Sequence, residues 1–221
     1  MKVYFIPGLA ADKRVFRHIQ LPEHFESCYL EWIPPQKNES LQEYAYRMAL
    51  QIDHSQPFIL IGLSFGGMLA VEIAKKYPPL QLILIASISH HRHLPKYYRI
   101  AYRVGLHRVL GINSIKKAVY VKRYFTSESK DDKNIIRQMA RDIDAEFVRW
   151  AIRAVVNWHT NEEELPVYHI HGTKDIILPF TINKIQYKIQ GAGHLMIFDR
   201  ADEINIVLKS LLENKRFPQG L

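Results

Sequence analysis

Two kinds of apolar pattern alternate along this chain. Short, nearly unbroken apolar runs occur at Lys2–Ile6 (KVYFI), 27–33 (SCYLEWI), 57–62 (PFILIG), 81–86 (QLILIA), 166–171 (PVYHIH) and 183–189 (NKIQYKI). Their length and the turn residues that bound them predict strands, the runs at 57–62 and 81–86 being buried on both faces. Between them, apolar residues return at a helical interval. Leu41, Tyr44, Ala45, Met48 and Ile52 share one side of a helix over 40–54, and Ile204, Val207, Leu208 and Leu211 share one side over 201–212. A further helix over 66–77 is halted by Pro78-Pro79. Strands alternating with helices predict an α/β fold, a doubly wound and mostly parallel sheet covered on both faces. In such sheets a site forms beyond the carboxyl ends of the strands.

Residues 89–164 break the alternation. They carry helical patterns and no strand run; over 144–159, Phe147, Val148, Ala151, Val155 and Trp158 share a face behind Asp144, a suitable N-cap. The expected organisation is a core from residues 1–88 and 165–221, with 89–164 inserted as a helical cap over the sheet's carboxyl end.

Composition narrows the class. A length of 221 residues fits one domain, and 48% hydrophobic with 24% charged residues is the balance of a soluble folded protein. The single cysteine, Cys28, excludes an intramolecular disulfide and suits a reducing compartment. The amino terminus lacks the features of a signal peptide, and no apolar run reaches the roughly 18 residues of a membrane span, so a cytoplasmic location is expected.

The chemistry concentrates at three places. The first is Ile59 to Gly67 (ILIGLSFGG), where an apolar strand runs into Gly62-Leu63-Ser64-Phe65-Gly66 and a helical pattern begins at once. A serine in so sharp a turn has strained backbone angles and a side chain thrust clear of the sheet, and small neighbours are needed where backbone crowds it. The second is His171-Gly172-Thr173-Lys174-Asp175, which puts an aspartate just past a strand; alone it reads equally as turn chemistry. The third is Gly191-Ala192-Gly193-His194, between the last strand and the last helix. Together they supply nucleophile, acid and base on loops after three separate strands.

With these motifs in the order Ser, Asp, His, the chain resembles the α/β-hydrolase family over nearly its whole length outside the insertion. The resemblance implies a catalytic triad of Ser64, Asp175 and His194, needing no cofactor and no metal. It also implies an oxyanion hole from the backbone N–H groups of Leu9, in the loop Pro7-Gly8-Leu9-Ala10, and of Phe65. Many relatives carry His-Gly where this chain has Pro7-Gly8. The chain begins at what resembles the family's third strand, which implies about six strands, all parallel, with one edge exposed or covered by a partner.

The implied function is a serine hydrolase that cleaves a carboxylic ester or thioester through an acyl-enzyme intermediate. Acyltransferase and carbon–carbon bond hydrolase share the triad, and a ligand-binding module could keep the fold without the chemistry. A serine nucleophile argues against the relatives that attack with aspartate. Ser87 and Ser89 follow a strand without elbow glycines, and Asp199 reads as capping or preceding the last helix rather than replacing Asp175. His90, His91 and His93 form a run that lacks a carboxylate or cysteine beside it, so no metal is expected there.

The formal charge of +8 raises the question of an acidic partner, although no nucleic-acid motif is present. From residue 90 to 125 there are nine lysines and arginines and no aspartate or glutamate. Lys96, Arg99, Arg103 and His107 fall at helical spacing, with Tyr98, Tyr102 and Val109 roughly opposite. This is either a surface that attracts an anionic acyl substrate, carrier or membrane, or a solvated face over a packed helix. The aromatic residues are too many for the core side of one short helix, so Tyr98 and Tyr102 are expected to line a pocket for a small-molecule acyl substrate.

Overall fold

The computed structural model describes residues 1–104, 129–160, 163–179 and 185–213. Six strands form one sheet: β1 (Lys2–Ile6), β2 (Glu26–Tyr29), β3 (Phe58–Leu63), β4 (Gln81–Ile85), β5 (Tyr168–Gly172) and β6 (Tyr187–Ile189). Their order is β2-β1-β3-β4-β5-β6 and every neighbouring pair is parallel. The chain moves outward from β1 to β2 and then returns to place β3 on the other side of β1. The loops after β1 and β3 therefore diverge, and that reversal is where doubly wound sheets open a crevice.

Seven helices accompany the sheet among the described residues: α1 (Leu41–Met48), α2 (Phe65–Lys76), α3 (Lys96–Arg103), α4 (Lys130–Asp142), α5 (Ala145–Val156), α6 (Met196–Asp199) and α7 (Ala201–Glu213). The two-residue strand period separates two apolar layers. Tyr4, Ile6, Leu60 and Leu84 face α1, α2 and α5, whereas Val3, Phe5, Ile61 and Ile85 face α4, α6, α7 and the short 3₁₀ turn Lys13–Phe16. Every residue of β3 and β4 is buried, as their unbroken apolar runs require.

Local signals set the helix starts. Ser40 accepts from the Glu43 N–H while the Glu43 carboxylate accepts from the Ser40 N–H, a reciprocal capping box. Asp144 caps α5 by accepting from the Glu146 N–H at 2.7 Å. Helix α5 packs as part of the sheet's own helical layer: Trp150 stacks near Tyr44, with centroids 4.2 Å apart, and donates its indole N–H to the Glu39 carbonyl. Trp158, just past the helix, donates to the buried Glu72 carboxylate at 2.7 Å.

Three elements differ from their sequence expectation. Strand β2 stops at Tyr29 rather than continuing to Ile33, because other partners take the chain beyond it. The Trp32 indole donates to the Ala11 carbonyl, and the Tyr44 hydroxyl both accepts from the Ile33 N–H and donates to the Ile33 carbonyl. Helix α1 ends at Met48 and tightens into a 3₁₀ turn, Ala49–Gln51, rather than running to His54. Strand β6 holds only Tyr187–Ile189; ahead of it the Gln186 side chain accepts from the His169 N–H and donates to the Val167 carbonyl, replacing backbone pairing with an amide. The beginning of that expected strand, like His107 and Val109, lies outside the described residues. Cys28 is half-buried on the edge strand.

Candidate active site

Ser64 occupies the junction of β3 and α2 with φ 52° and ψ −118°, a left-handed conformation that a non-glycine residue adopts only under constraint. The constraint is visible around it. Its N–H donates to the Ile85 carbonyl of β4 at 2.9 Å, and its carbonyl accepts from the Ser87 hydroxyl at 2.6 Å. A Cβ on Gly66 would sit 2.3 Å from the Ile6 and Pro7 carbonyl oxygens, and one on Gly62 would sit 2.4 Å from the Gly67 Cα. The two glycines of the motif are thus where strand, helix and first loop touch.

Asp175 and His194 come from the turns after β5 and β6, which are laced together. The Lys174 N–H donates to the Ala192 carbonyl at 2.9 Å, and the Gly191 N–H donates to the Thr173 hydroxyl at 2.8 Å. This lacing brings the His194 Nδ1 to 2.7 Å from Asp175 Oδ2 and its Nε2 to 2.8 Å from Ser64 Oγ. Facing a carboxylate, Nδ1 carries the ring proton, which leaves Nε2 as the acceptor for the serine hydroxyl. Asp175 is the carboxylate against His194; Asp199 closes the short helix α6 instead.

The Asp175 carboxylate has more donors than His194. Its Oδ1 accepts from the Ile177 and Leu178 N–H groups at 2.8 and 2.9 Å. Its Oδ2 also lies 3.3 Å from His171 Nε2. Burial pushes this carboxyl up, but the hydrogen bonds from His171, His194 and the Leu178 N–H outweigh it and hold the group well below the usual range. His171 Nε2 also donates to the Leu178 carbonyl at 2.8 Å, so it carries the proton, and Nδ1 accepts from His169 Nε2 at 3.2 Å. Burial, then the neighbouring His171, lowers His169 to about 3, so it is neutral. The result is a buried chain of polar side chains running from Ser64 through His194, Asp175 and His171 to His169.

Ser87 contacts the Ser64 carbonyl, and His171 and His169 extend the chain behind Asp175; the sequence patterns assign none of the three to the site. Two signals were there to find. The alternation in Tyr168–Gly172 (YHIHG) puts both histidines on one face at the strand's carboxyl end, beside the Asp175 turn. Ser87 lies just past the end of β4, next to the end of β3.

In front of this chain is apolar space. A cavity of about 280 Å³ is bounded by Leu9, Ser64, Phe65, Tyr98, Val148 and His194, among others. Leu9 and Phe65 therefore share the wall that Ser64 opens onto. Phe65 is the first residue of α2, so its N–H has no acceptor within the helix. Gly8, one residue before Leu9, packs against Ser64 closely enough that a Cβ there would lie 3.4 Å from the serine Cβ. Tyr98 reaches the site from α3 and donates to the Ile177 carbonyl at 2.8 Å, tying α3 to the turn that carries Asp175. Tyr102 is half-buried one turn further on and is not among the described residues bounding the cavity.

The basic stripe is divided. Arg99 donates to the His91 carbonyl at 3.0 Å, whereas Lys96 and Arg103 are exposed. No Lys, Arg, Asp or Glu is among the described residues that bound the cavity. The His90 and His91 rings pack together at 4.2 Å, and among the described residues no cluster of three or more His, Cys, Asp or Glu is arranged to hold a metal.

No family model matches the sequence, and no curated protein does. Solved structures match in fold. A thermophilic esterase from Thermogutta terrifontis superposes with a TM-score of 0.73 at 20% identity, covering 97% of this chain and 90% of that one. A carboxylesterase structure from Nitrososphaera gargenis gives 0.71 at 15%, covering 97% and 90%. A Bacillus megaterium epoxide hydrolase gives 0.66 at 13%, covering 96% and 93%. The chain has the α/β-hydrolase fold. Because that fold carries both ester and epoxide chemistry in these neighbours, the reaction has to be argued from the site.

Proposed function

We propose that this protein is a serine hydrolase that cleaves carboxylic esters or thioesters of small, apolar acyl compounds. The observation that carries the reading is the unbroken chain Ser64–His194–Asp175 opening onto an apolar cavity. In the first half-reaction Ser64 Oγ attacks the substrate carbonyl carbon while His194 Nε2 takes the hydroxyl proton. Asp175 holds the ring in the tautomer that leaves Nε2 free, and stabilises the imidazolium as it forms. The Leu9 and Phe65 N–H groups hold the oxyanion, each at a typical worth of about 2.7–4 kcal/mol of barrier. Collapse of the intermediate breaks the bond to the leaving alcohol or thiol, which takes the proton back from Nε2. Water, deprotonated by the same nitrogen, then attacks the acyl-serine and releases the acid.

The helices between β4 and β5 act in this reading as the cap that closes the cavity. Helix α5 serves two purposes: Phe147 and Trp150 pack on the core, and Val148 and Val155 wall the substrate space. The absence of a fixed charge from the described wall favours an uncharged acyl group over an anionic one. The test is p-nitrophenyl ester hydrolysis across acyl lengths, with Ser64→Ala beside the native protein. A chain-length optimum with a loss of roughly 10⁴–10⁶-fold in Ser64→Ala is expected; a variant retaining more than a tenth of native activity rules the reading out. Partitioning of the acyl group toward an added alcohol rather than water would instead point to an acyltransferase.

A further inference from the structure

Ser64 and His194 bound two separate spaces. Beside the 280 Å³ cavity lies a slot of about 10 Å³, which is about the room of a single water molecule. By the same measure the cavity is about 28 times larger, which is room for a chain rather than a single group. The slot is walled by Val15, Leu63, Ile136, Met139, Leu195 and Phe198, and each of these is buried in the apolar layer shared by α4, α6 and α7. These six come from four parts of the chain, so the slot is cut from close-packed core and cannot widen without moving several elements at once.

We infer that the substrate is lopsided: one side of the scissile carbonyl is a bulky apolar group that fills the cavity, and the other is about the size of one methyl group, which is all the slot admits. This rests on the hydrolase reading and sharpens it to methyl esters of medium-chain acids, or acetate esters of medium-chain alcohols. Among the described residues, a substrate with two bulky groups would have to force one of them into the slot.

Three isomeric esters test this: methyl octanoate, heptyl acetate and butyl pentanoate. One of the two lopsided isomers is expected to exceed butyl pentanoate in kcat/KM by at least about tenfold, the scale of a missing or surplus methylene in a tight pocket. Which isomer leads identifies whether the acid or the alcohol side enters the slot. Met139→Ala should open the slot and narrow the advantage severalfold, by raising turnover of butyl pentanoate. Equal turnover of all three, or preference for butyl pentanoate, overturns the inference and leaves the hydrolase reading standing. Turnover of none, with no labelling of Ser64 by a fluorophosphonate, overturns both.

Discussion

The two halves of the site are held by different forces. The Ser64 half is fixed by backbone crowding: glycines pressed against carbonyl oxygens, a strained serine, and one hydroxyl from Ser87. The His194 half is fixed by hydrogen bonds and charge, with Asp175 accepting from two histidines and two backbone N–H groups. Steric restraint does not titrate, whereas the polar chain does. The first half should fail by volume and the second by charge or pH.

The largest effect is expected from volume at the elbow. Gly66→Ala puts a methyl group 2.3 Å from two carbonyl oxygens, so strand β1 or helix α2 must shift. We expect loss of activity together with a loss of several kcal/mol of stability that is the same at pH 5 and pH 8; a soluble, active Gly66→Ala would contradict the crowding argument. On the other half, Asp175→Asn should keep the fold and lower kcat by around 10³–10⁴-fold through loss of ring orientation. Asp199→Asn should be close to native, and the reverse pattern in kinetics would mean that Asp199 is the acid.

Smaller effects separate the supports from one another. Ser87→Ala removes the donor to the Ser64 carbonyl, and about 1–3 kcal/mol of stability should go with it, read from denaturant midpoints. The last effect concerns acid. His169 is lowered to about 3 against an ordinary value of 6.5, so between these pH values the unfolded chain binds a proton that the folded one does not. Stability therefore rises with pH through that window and falls on acidification, by about 2 kcal/mol at pH 5 relative to pH 7 from this group. Asp175, held low, adds almost nothing between pH 5 and pH 7, because its contribution is lost only as the pH falls through its ordinary value of 3.8 and below. His169→Phe should flatten the melting temperature between pH 7 and pH 5, and an unchanged slope would assign the effect elsewhere.

The same division explains what was legible in the sequence. The elbow depends on neighbours within a few residues, so Gly62, Ser64 and Gly66 announce it directly. The order of Ser64, Asp175 and His194 on three strand ends follows from the alternation of patterns. By contrast, Ser87 and His171 matter through residues far away in the chain or across a turn, and a serine or histidine after a strand carries no local mark of that. The early end of β2 is a tertiary effect as well, since Tyr44 and Ala11 take the groups that Trp32 and Ile33 offer. The apolar pattern marks α5, but periodicity does not reveal that the helix stops before Trp158 or that its valines also wall a cavity. For the basic stripe, charge was visible along α3 in the sequence but the direction of each side chain was not: Arg99 turns to the His91 carbonyl, whereas Lys96 and Arg103 are exposed.

The central claim is that Ser64 is the nucleophile of this site, and adduct mapping tests it most directly. The native protein is treated with a fluorophosphonate, digested and sequenced by mass spectrometry, with Asp175→Asn carried in parallel. A single adduct on Ser64, formed far more slowly in Asp175→Asn, is the predicted result. An adduct on another residue, or none while ester turnover persists, would contradict it.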